Sequence, residues 1–408
     1  MMWTTIRETK KKKKMLSKRG YIEVVYRNIP KTHNMIPGDV FLSRKIREED
    51  RLISVLSDGL GSGVKANVLA SLTATMALDY TASSMNVMRS AETIMDTLPI
   101  CSVRKISYST FTIVDIDTTG RTRIIEHGNP PFVVLRPGGE VPLQRTRERL
   151  KKWQDRVITH TTFKAAIEDR IVFFSDGVSQ AGTGNPETPF GWGDENVADF
   201  ARARIKKYPR LSASELARNI MDKALKYDGD SAKDDITCAV IYFREPRRLL
   251  IVTGPPYSTD SDHEFAEIVS QFEGEKVICG GTTASIVGRE LELDVALDLE
   301  EDIDPDIPPP ARMDGIDLVT EGTLTLGEVA RILESDLPIT KFRRNAARSL
   351  VEMLLETDIV QFVVGTRINA AHQDPNIPVE LDLRRNIIRR ICTKLDNKYL
   401  KETTVRYM

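Results

Sequence analysis

Apolar positions divide the chain into a strand-rich first half and a second half in which short strands and helices alternate. Tyr21–Tyr26, Val40–Leu42 and Leu52–Leu56 read as strands, the last a nearly continuous apolar run of the kind that is buried on both faces. A helical period follows, with Val68, Leu69, Leu72 and Met76 on one face. Val87, Met88, Ala91, Ile94, Met95 and Leu98 repeat it in a second helix. Phe111–Ile116 then predicts a strand, Asp117-Thr118-Thr119-Gly120 a turn, and Ile124-Ile125 the returning hairpin arm. After His127-Gly128-Asn129-Pro130-Pro131, strands are expected at Phe132–Leu135 and Ile171–Phe174, helices near 195–207 and 213–227, and a last strand at Ile236–Ile241. Strands in runs with helices in pairs predict an α+β sandwich, sheets inside and helices outside.

From Glu245-Pro246 onward the pattern changes. Leu249–Val252 leads into Thr253-Gly254-Pro255-Pro256, and Val277–Cys279 into Gly280-Gly281-Thr282-Thr283. Ile316–Val319 leads into Thr320-Glu321-Gly322-Thr323, and Val360–Val364 into Gly365-Thr366-Arg367. Helical segments intervene at 262–272, 326–334 and 346–356. Strand, Gly/Thr turn, helix is the alternation of a parallel sheet, so residues 246–408 are expected to form a smaller α/β, Rossmann-like domain. No Walker loop or G-x-G-x-x-G motif is present.

Composition narrows the classes. The 408 residues suffice for two cores. Lys and Arg total 58 against 59 Asp and Glu, a net charge of −1, which gives no global attraction to nucleic acid or to an acidic membrane. Cys101, Cys238, Cys279 and Cys392 are far apart, as expected of reduced thiols in the cytoplasm rather than disulfides or a zinc site. No apolar run approaches the ~18 residues of a membrane span. Residues 1–20, with Lys10–Lys14 in a row, read as a solvated flexible arm.

The chemistry is concentrated at strand ends. Two apolar strands run into the same tripeptide, Ser57-Asp58-Gly59 and Ser175-Asp176-Gly177, while Lys233-Asp234-Asp235 opens a third. Convergent carboxylates about 4 Å apart repel by roughly 4 kcal/mol at an effective dielectric near 20, so such a cluster calls for bound cations. Adjacent Asp234 and Asp235 point oppositely on extended backbone, so only one of them can face such cations.

The order Gly38-Asp39-Val40-Phe41, Ser57-Asp58-Gly59-Leu60-Gly61-Ser62-Gly63, Ser175-Asp176-Gly177-Val178, Asp234-Asp235-Ile236-Thr237 resembles the PPM (protein phosphatase 2C-type) metal-dependent phosphatases. The similarity is greatest to the bacterial branch typified by stage II sporulation protein E, over about residues 21–243, so that 21–245 is read as the phosphatase domain. That resemblance implies a β-sandwich flanked by helices and two Mn²⁺ or Mg²⁺ ions. Asp58 would bridge the ions, the Gly59 carbonyl would bind one, Asp176 and Asp234 would complete the other, and Asp39 would sit at the second. Oxygen donors suit these hard cations. Asp235 would orient the turn.

The resemblance further implies hydrolysis of phosphoserine or phosphothreonine on a regulatory protein of the anti-sigma-antagonist kind. The helices after Asp58 resemble a switch in this branch, and plain core packing explains their Met and Ala content equally well. Leu60 stands where many eukaryotic members carry a proton-donating histidine, and His127 is the nearest substitute by sequence, though a histidine beside a tight turn is chiefly a structural hydrogen-bonder.

In the second half, Gly281, Thr282, Thr283, Thr323, Thr366 and Arg367 are expected to bind a small anionic ligand, or simply to make tight strand-to-helix turns. The acidic, proline-rich stretch 294–310 is read as an exposed loop. The last helix, with Leu383, Ile387, Ile388, Ile391 and Leu395 on one side, serves either as a packed amphipathic helix or as a dimer contact. The competing functional class is a scaffold or ligand-sensing module that keeps the phosphatase fold without activity; retention of all four acidic motifs favours the enzyme.

Overall fold

The computed structural model describes residues 19–85, 87–97, 109–138, 141–150, 156–297, 306–367, 378–399 and 401–408. The lysine-rich arm (residues 1–18), Cys101 and the 298–305 part of the acidic loop lie outside the described residues. The chain divides into two compact units, Met1–Glu245 and Pro246–Met408.

The first unit runs, in chain order, β1 (Tyr21–Ile29), β2 (Val40–Ile46), β3 (Arg51–Gly59), α1 (Val64–Ala82), α2 (Val87–Thr97), β4 (Ser109–Asp117), β5 (Arg121–His127), β6 (Val133–Leu135), β7 (Gln144–Arg149), β8 (Val157–Lys164), β9 (Asp169–Phe174), the single turn α3 (Asp176–Ser179), α4 (Asp194–Lys207), α5 (Ala213–Tyr227) and β10 (Ile236–Arg244). Its strands form two antiparallel sheets, ordered β1-β10-β9-β6 and β2-β3-β4-β5-β8-β7.

Period-two alternation places each layer. Leu52 and Leu56 of β3, Ile171 and Phe173 of β9, and Ala239, Ile241 and Phe243 of β10 meet in one core between the sheets. The alternate residues Val172, Phe174, Cys238 and Val240 face outward under α4 and α5, against Ile205, Leu216 and Ile220. Ile53 and Val55 face the other way, under α1 and α2. Strands with apolar side chains on both faces therefore read as unbroken hydrophobic runs, because each face has a helical layer or the other sheet to cover it.

Helix α1 departs from the expected face. Val68 and Leu72 are exposed, whereas Ala66, Ala70, Ala74 and Ala77 are buried against the sheet. Small side chains win because the helix backbone comes close to β3: a Cβ on Gly59 would lie 2.2 Å from the Ala66 carbonyl oxygen. Larger residues on that face would hold the helix off the strand.

The second unit comprises β11 (Arg248–Thr253), α6 (Asp262–Gln271), β12 (Glu275–Cys279), α7 (Gly281–Leu291), β13 (Ala296–Leu297), β14 (Ala311–Met313), β15 (Ile316–Thr320), α8 (Thr323–Glu334), α9 (Ala346–Glu356), β16 (Ile359–Val364), α10 (Pro378–Asn397) and β17 (Glu402–Tyr407). Its sheet order is β13-β14-β15-β12-β11-β16-β17. The pairs β11–β12, β11–β16, β12–β15 and β16–β17 are parallel, and an antiparallel hairpin adds the far edge. Taken in chain order the five parallel strands lie 3-2-1-4-5, the doubly wound arrangement. In α10, Ile387, Ile388, Ile391 and Leu395 are buried within this unit, while Leu383 is exposed.

Candidate metal centre

Antiparallel pairing carries the acidic motifs to one end of the sandwich. Val40 of β2 pairs with Ser57 of β3, which sets Asp39 and Asp58 beside each other at the ends of neighbouring strands. In the other sheet β9 and β10 pair, and beyond their last ladder rung the Ser175 amide donates to the Thr237 carbonyl at 3.0 Å, bringing Asp176 to Asp234 and Asp235. The sheets are joined at this end by the Thr237 hydroxyl, which donates to the Asp39 carboxylate at 2.5 Å in a buried position.

The repeated Ser-Asp-Gly has a role for each member. Ser57 Oγ donates to the Thr110 carbonyl on β4 at 2.9 Å, and Ser175 Oγ accepts from the Thr237 amide at 3.0 Å, so each serine ties its strand end to the neighbour. The glycines permit close approach. A Cβ on Gly177 would lie 2.2 Å from the Asp235 carbonyl oxygen, matching the clash of Gly59 with Ala66. Gly38 meets the Asp235 carboxylate in the same way, at 2.9 Å.

The electrostatics are those of mutually repelling carboxylates. Burial raises Asp39 to about 7 against hydrogen bonds from Thr237 and Ser175, with Asp235 and Asp176 adding to the rise. Burial also lifts Asp58 well above the carboxylate range, and the charges of Asp39, Asp176 and Asp234 push it the same way. Asp176 is raised by burial and then by Asp234. Asp234 is raised by burial, against the Asp235 amide and Lys31. Asp58 hydrogen-bonds both Asp39 and Asp176. Among the described residues no three acidic, histidine or cysteine side chains already stand at the spacing of a coordination shell. Oxygen donors that are buried (Asp39) or half-buried (Asp58, Asp176, Asp234) and destabilise each other's charged forms fit a hard divalent cation, which would relieve that repulsion.

Asp235 behaves differently from its neighbour. Its carboxylate accepts from the amides of Lys31 and Gly38, both at 2.9 Å, and so holds the 31–38 loop that delivers Asp39. Side chains that sequence reasoning missed are Ser175, Thr237 and Gln180, whose Nε2 donates to Asp176 Oδ2 at 2.9 Å. The Ser-Asp-Gly repeat and the Asp-Asp-Ile-Thr run were the available signals for the first two. Nothing in the sequence singles out Gln180. His127 is buried on β5, packed on Phe111 with its Nδ1 3.1 Å from the Val157 carbonyl.

In the second unit the expected ligand residues fall into two groups. Gly281, Thr282 and Thr283 open α7 after β12, and Thr323 opens α8 after the neighbouring β15. The backbones of Gly280 and Gly322 come close enough that a Cβ on Gly322 would lie 3.5 Å from the Gly280 Cα. Thr366 and Arg367 follow β16 instead. The Thr366 hydroxyl donates to the Met408 carbonyl at 2.7 Å and the Arg367 amide to the Pro255 carbonyl at 3.1 Å, so these two tie the end of β16 to those of β17 and β11.

The family model of stage II sporulation protein E (SpoIIE) matches residues 48–244. The chain is similar to the SpoIIE phosphatase domain of Bacillus subtilis, at 16% identity over 56% of this chain and 94% of that one, with a TM-score of 0.42. A structure of RsbX in complex with magnesium is 20% identical over 54% of this chain and 95% of its own, TM-score 0.40. The RsbU and RsbW domains of a Mycobacterium tuberculosis protein are 18% identical over 62% of this chain and 68% of theirs, TM-score 0.42. No curated protein sequence matches.

The sandwich with its acidic strand ends, together with the family match, makes the first unit a PP2C-type domain, of the class of protein serine/threonine phosphatases that hydrolyse phosphoric monoesters. Within that class the family model that residues 48–244 match is that of SpoIIE. β1 lies outside the matched segment yet pairs along its whole length with β10, so it is part of the same sheet. Among the described residues no helix is long and apolar enough to cross a membrane.

Proposed function

We propose that this chain is a metal-dependent phosphatase acting on phosphoserine or phosphothreonine of a regulatory protein of the anti-sigma-antagonist kind. The observation that carries the reading is geometric: strand pairing and the Thr237–Asp39 hydrogen bond bring Asp39, Asp58, Asp176 and Asp234 to one end of the sandwich. Those four side chains and the Gly59 carbonyl would hold two Mn²⁺ or Mg²⁺ ions. When bound, such ions supply a nucleophilic water at neutral pH and offset charge on the phosphoryl oxygens.

The protein's own contribution is preorganisation. Thr237 aims Asp39, Gln180 aims Asp176, and Asp235 fixes the loop before Asp39 through two amides. Leu60 follows Gly59, so that position supplies no proton to the leaving alkoxide. The test is hydrolysis of p-nitrophenyl phosphate and of a phosphoserine peptide by the full chain. Activity is expected to need Mn²⁺ or Mg²⁺, to vanish with chelation, and to fall on the order of 10²-fold or more in Asp176→Asn. If wild type and variant are equally inert, the scaffold reading holds instead.

For the second unit we propose a small anionic ligand that controls the phosphatase, held at the β12 and β15 strand ends by Gly281, Thr282, Thr283 and Thr323. The close approach of Gly280 and Gly322 at the carboxyl edge of a parallel sheet supports this placement. Calorimetric titration with nucleotides and phosphorylated metabolites tests it; absence of any binder removes it.

A further inference from the structure

Edge strand β7 reads Gln144-Arg145-Thr146-Arg147-Glu148-Arg149 and is exposed throughout. Alternation puts Arg145, Arg147 and Arg149 on one face and Gln144, Thr146 and Glu148 on the other. Register identifies that face. Leu56 pairs with Thr112, Thr112 with Glu126, Glu126 with Thr159, and Thr159 with Arg147, so one row of side chains crosses five strands. Directly paired residues share a face, and Leu56 points into the core between the sheets. Asp58 is two residues beyond Leu56, and Arg149 is two residues beyond Arg147 in the same direction. Arg149 therefore stands level with Asp58, on the same face of the same sheet.

The arginines line an open cleft of about 530 Å³ that also includes Glu126, Asn129 and Thr159. The floor is joined to the acidic strand end, since Asn129 Nδ2 donates to the Leu56 carbonyl at 3.3 Å and to Thr112 Oγ1 at 3.1 Å. Within the described residues none of the three arginines forms a salt bridge. Arg145 lies over the Phe132 ring, and Glu126 is buried beneath Arg145 and Arg147. Deterring edge-to-edge pairing would be served by charge on either face of β7. Three arginines confined to the face that looks along the sheet toward the carboxylates need a further reason.

We infer that this strip docks an acidic segment of the phosphoprotein substrate, holding it while the phosphorylated residue lies at the carboxylate cluster. The inference rests on the phosphatase reading above. Four strand spacings of about 4.8 Å separate β3 from β7, roughly 19 Å, which an extended chain at about 3.3 Å per residue spans in about six residues. The acidic side chains thus belong about six positions from the phosphoserine and beyond.

The experiment compares phosphoserine peptides carrying a run of about four Asp, or the matched Asn run, beginning either about six or about two residues from the phosphoserine. Wild type is expected to favour the distant Asp run by roughly five- to tenfold in kcat/KM, through KM, with the advantage shrinking as salt is raised. Arg147→Glu/Arg149→Glu should lose that preference while hydrolysing p-nitrophenyl phosphate at the wild-type rate. Equal use of all peptides by wild type, an advantage independent of spacing, or a preference that survives in the variant overturns the docking strip. Fluorescence anisotropy of the labelled, unphosphorylated Asp peptide reads docking without catalysis. If p-nitrophenyl phosphate is not turned over but the peptide binds wild type and not the variant, the phosphatase reading fails and the strip stands. Equal binding to both proteins, or tighter binding of a short oligodeoxynucleotide, overturns the strip.

Discussion

Gly177→Ala is the sharpest probe of how the acidic motifs converge. Gly177 lies inside the helical turn α3, where alanine would ordinarily be an improvement worth about 0.4–1 kcal/mol through the unfolded chain. Here the added Cβ would meet the Asp235 carbonyl oxygen at 2.2 Å and its carbon at 3.0 Å, with the Asp234 Cβ at 3.5 Å. A carbon–oxygen contact needs roughly 1 Å more, and both atoms are backbone-bound, so β10's start must move. Overpacking of this kind costs about 1–3 kcal/mol. Set against the alanine gain, the net is a destabilisation of up to about 2.5 kcal/mol, together with displacement of Asp234. Gly281→Ala is the control: it too follows a strand and opens a helix, but its Cβ meets nothing within 4 Å, so it should be neutral or stabilise by up to about 1 kcal/mol. Urea unfolding is followed by fluorescence of Trp192, which lies in the first unit, for Gly177→Ala, and by far-UV circular dichroism for Gly281→Ala, which lies in the second. A Gly177→Ala protein as stable as wild type, with unaltered p-nitrophenyl phosphate turnover, would refute the close approach of the second and third motifs.

Two further outcomes are expected. Asp169 is fully buried and is met by Arg136 through Nε to Oδ1 at 2.8 Å and Nη2 to Oδ2 at 2.6 Å, and the Ala166 amide donates to the same carboxylate at 2.7 Å. Arg136→Ala leaves that buried charge with the amide alone, so it should cost about 2–4 kcal/mol by urea unfolding. Burial raises Glu126 from an ordinary 4.5 to about 6, against the Phe132 amide, Arg145 and Arg147. A carboxyl whose folded value lies above its unfolded one binds more protons when folded, so its contribution is favourable below about 4.5 and is lost as pH rises to about 6. Glu126→Gln should therefore flatten the stability–pH curve in that window by about 2 kcal/mol, and an unchanged curve would show that the carboxylate is solvated.

Chain order and local chemistry determined much of this protein. Strands with apolar residues on both faces, glycine-bearing turns and carboxylates at strand ends are written in runs of a few residues, because burial and backbone freedom act over that range. The alternation that marks 246–364 as a parallel sheet is equally local. Pairing across distant strands was not legible. The face of α1 illustrates why: Val68 and Leu72 look like core by periodicity, yet how near a helix lies to a sheet depends on Gly59, which has no Cβ, and Ala66, and only their meeting shows that alanines must be inside. The choice between Asp234 and Asp235 could be posed from alternation, but that Asp235 holds the 31–38 loop required the loop's position. The alignment of Arg149 with Asp58 is a property of four consecutive strand registers, and register is set by side-chain packing and turn geometry summed over the whole sheet rather than by any one segment.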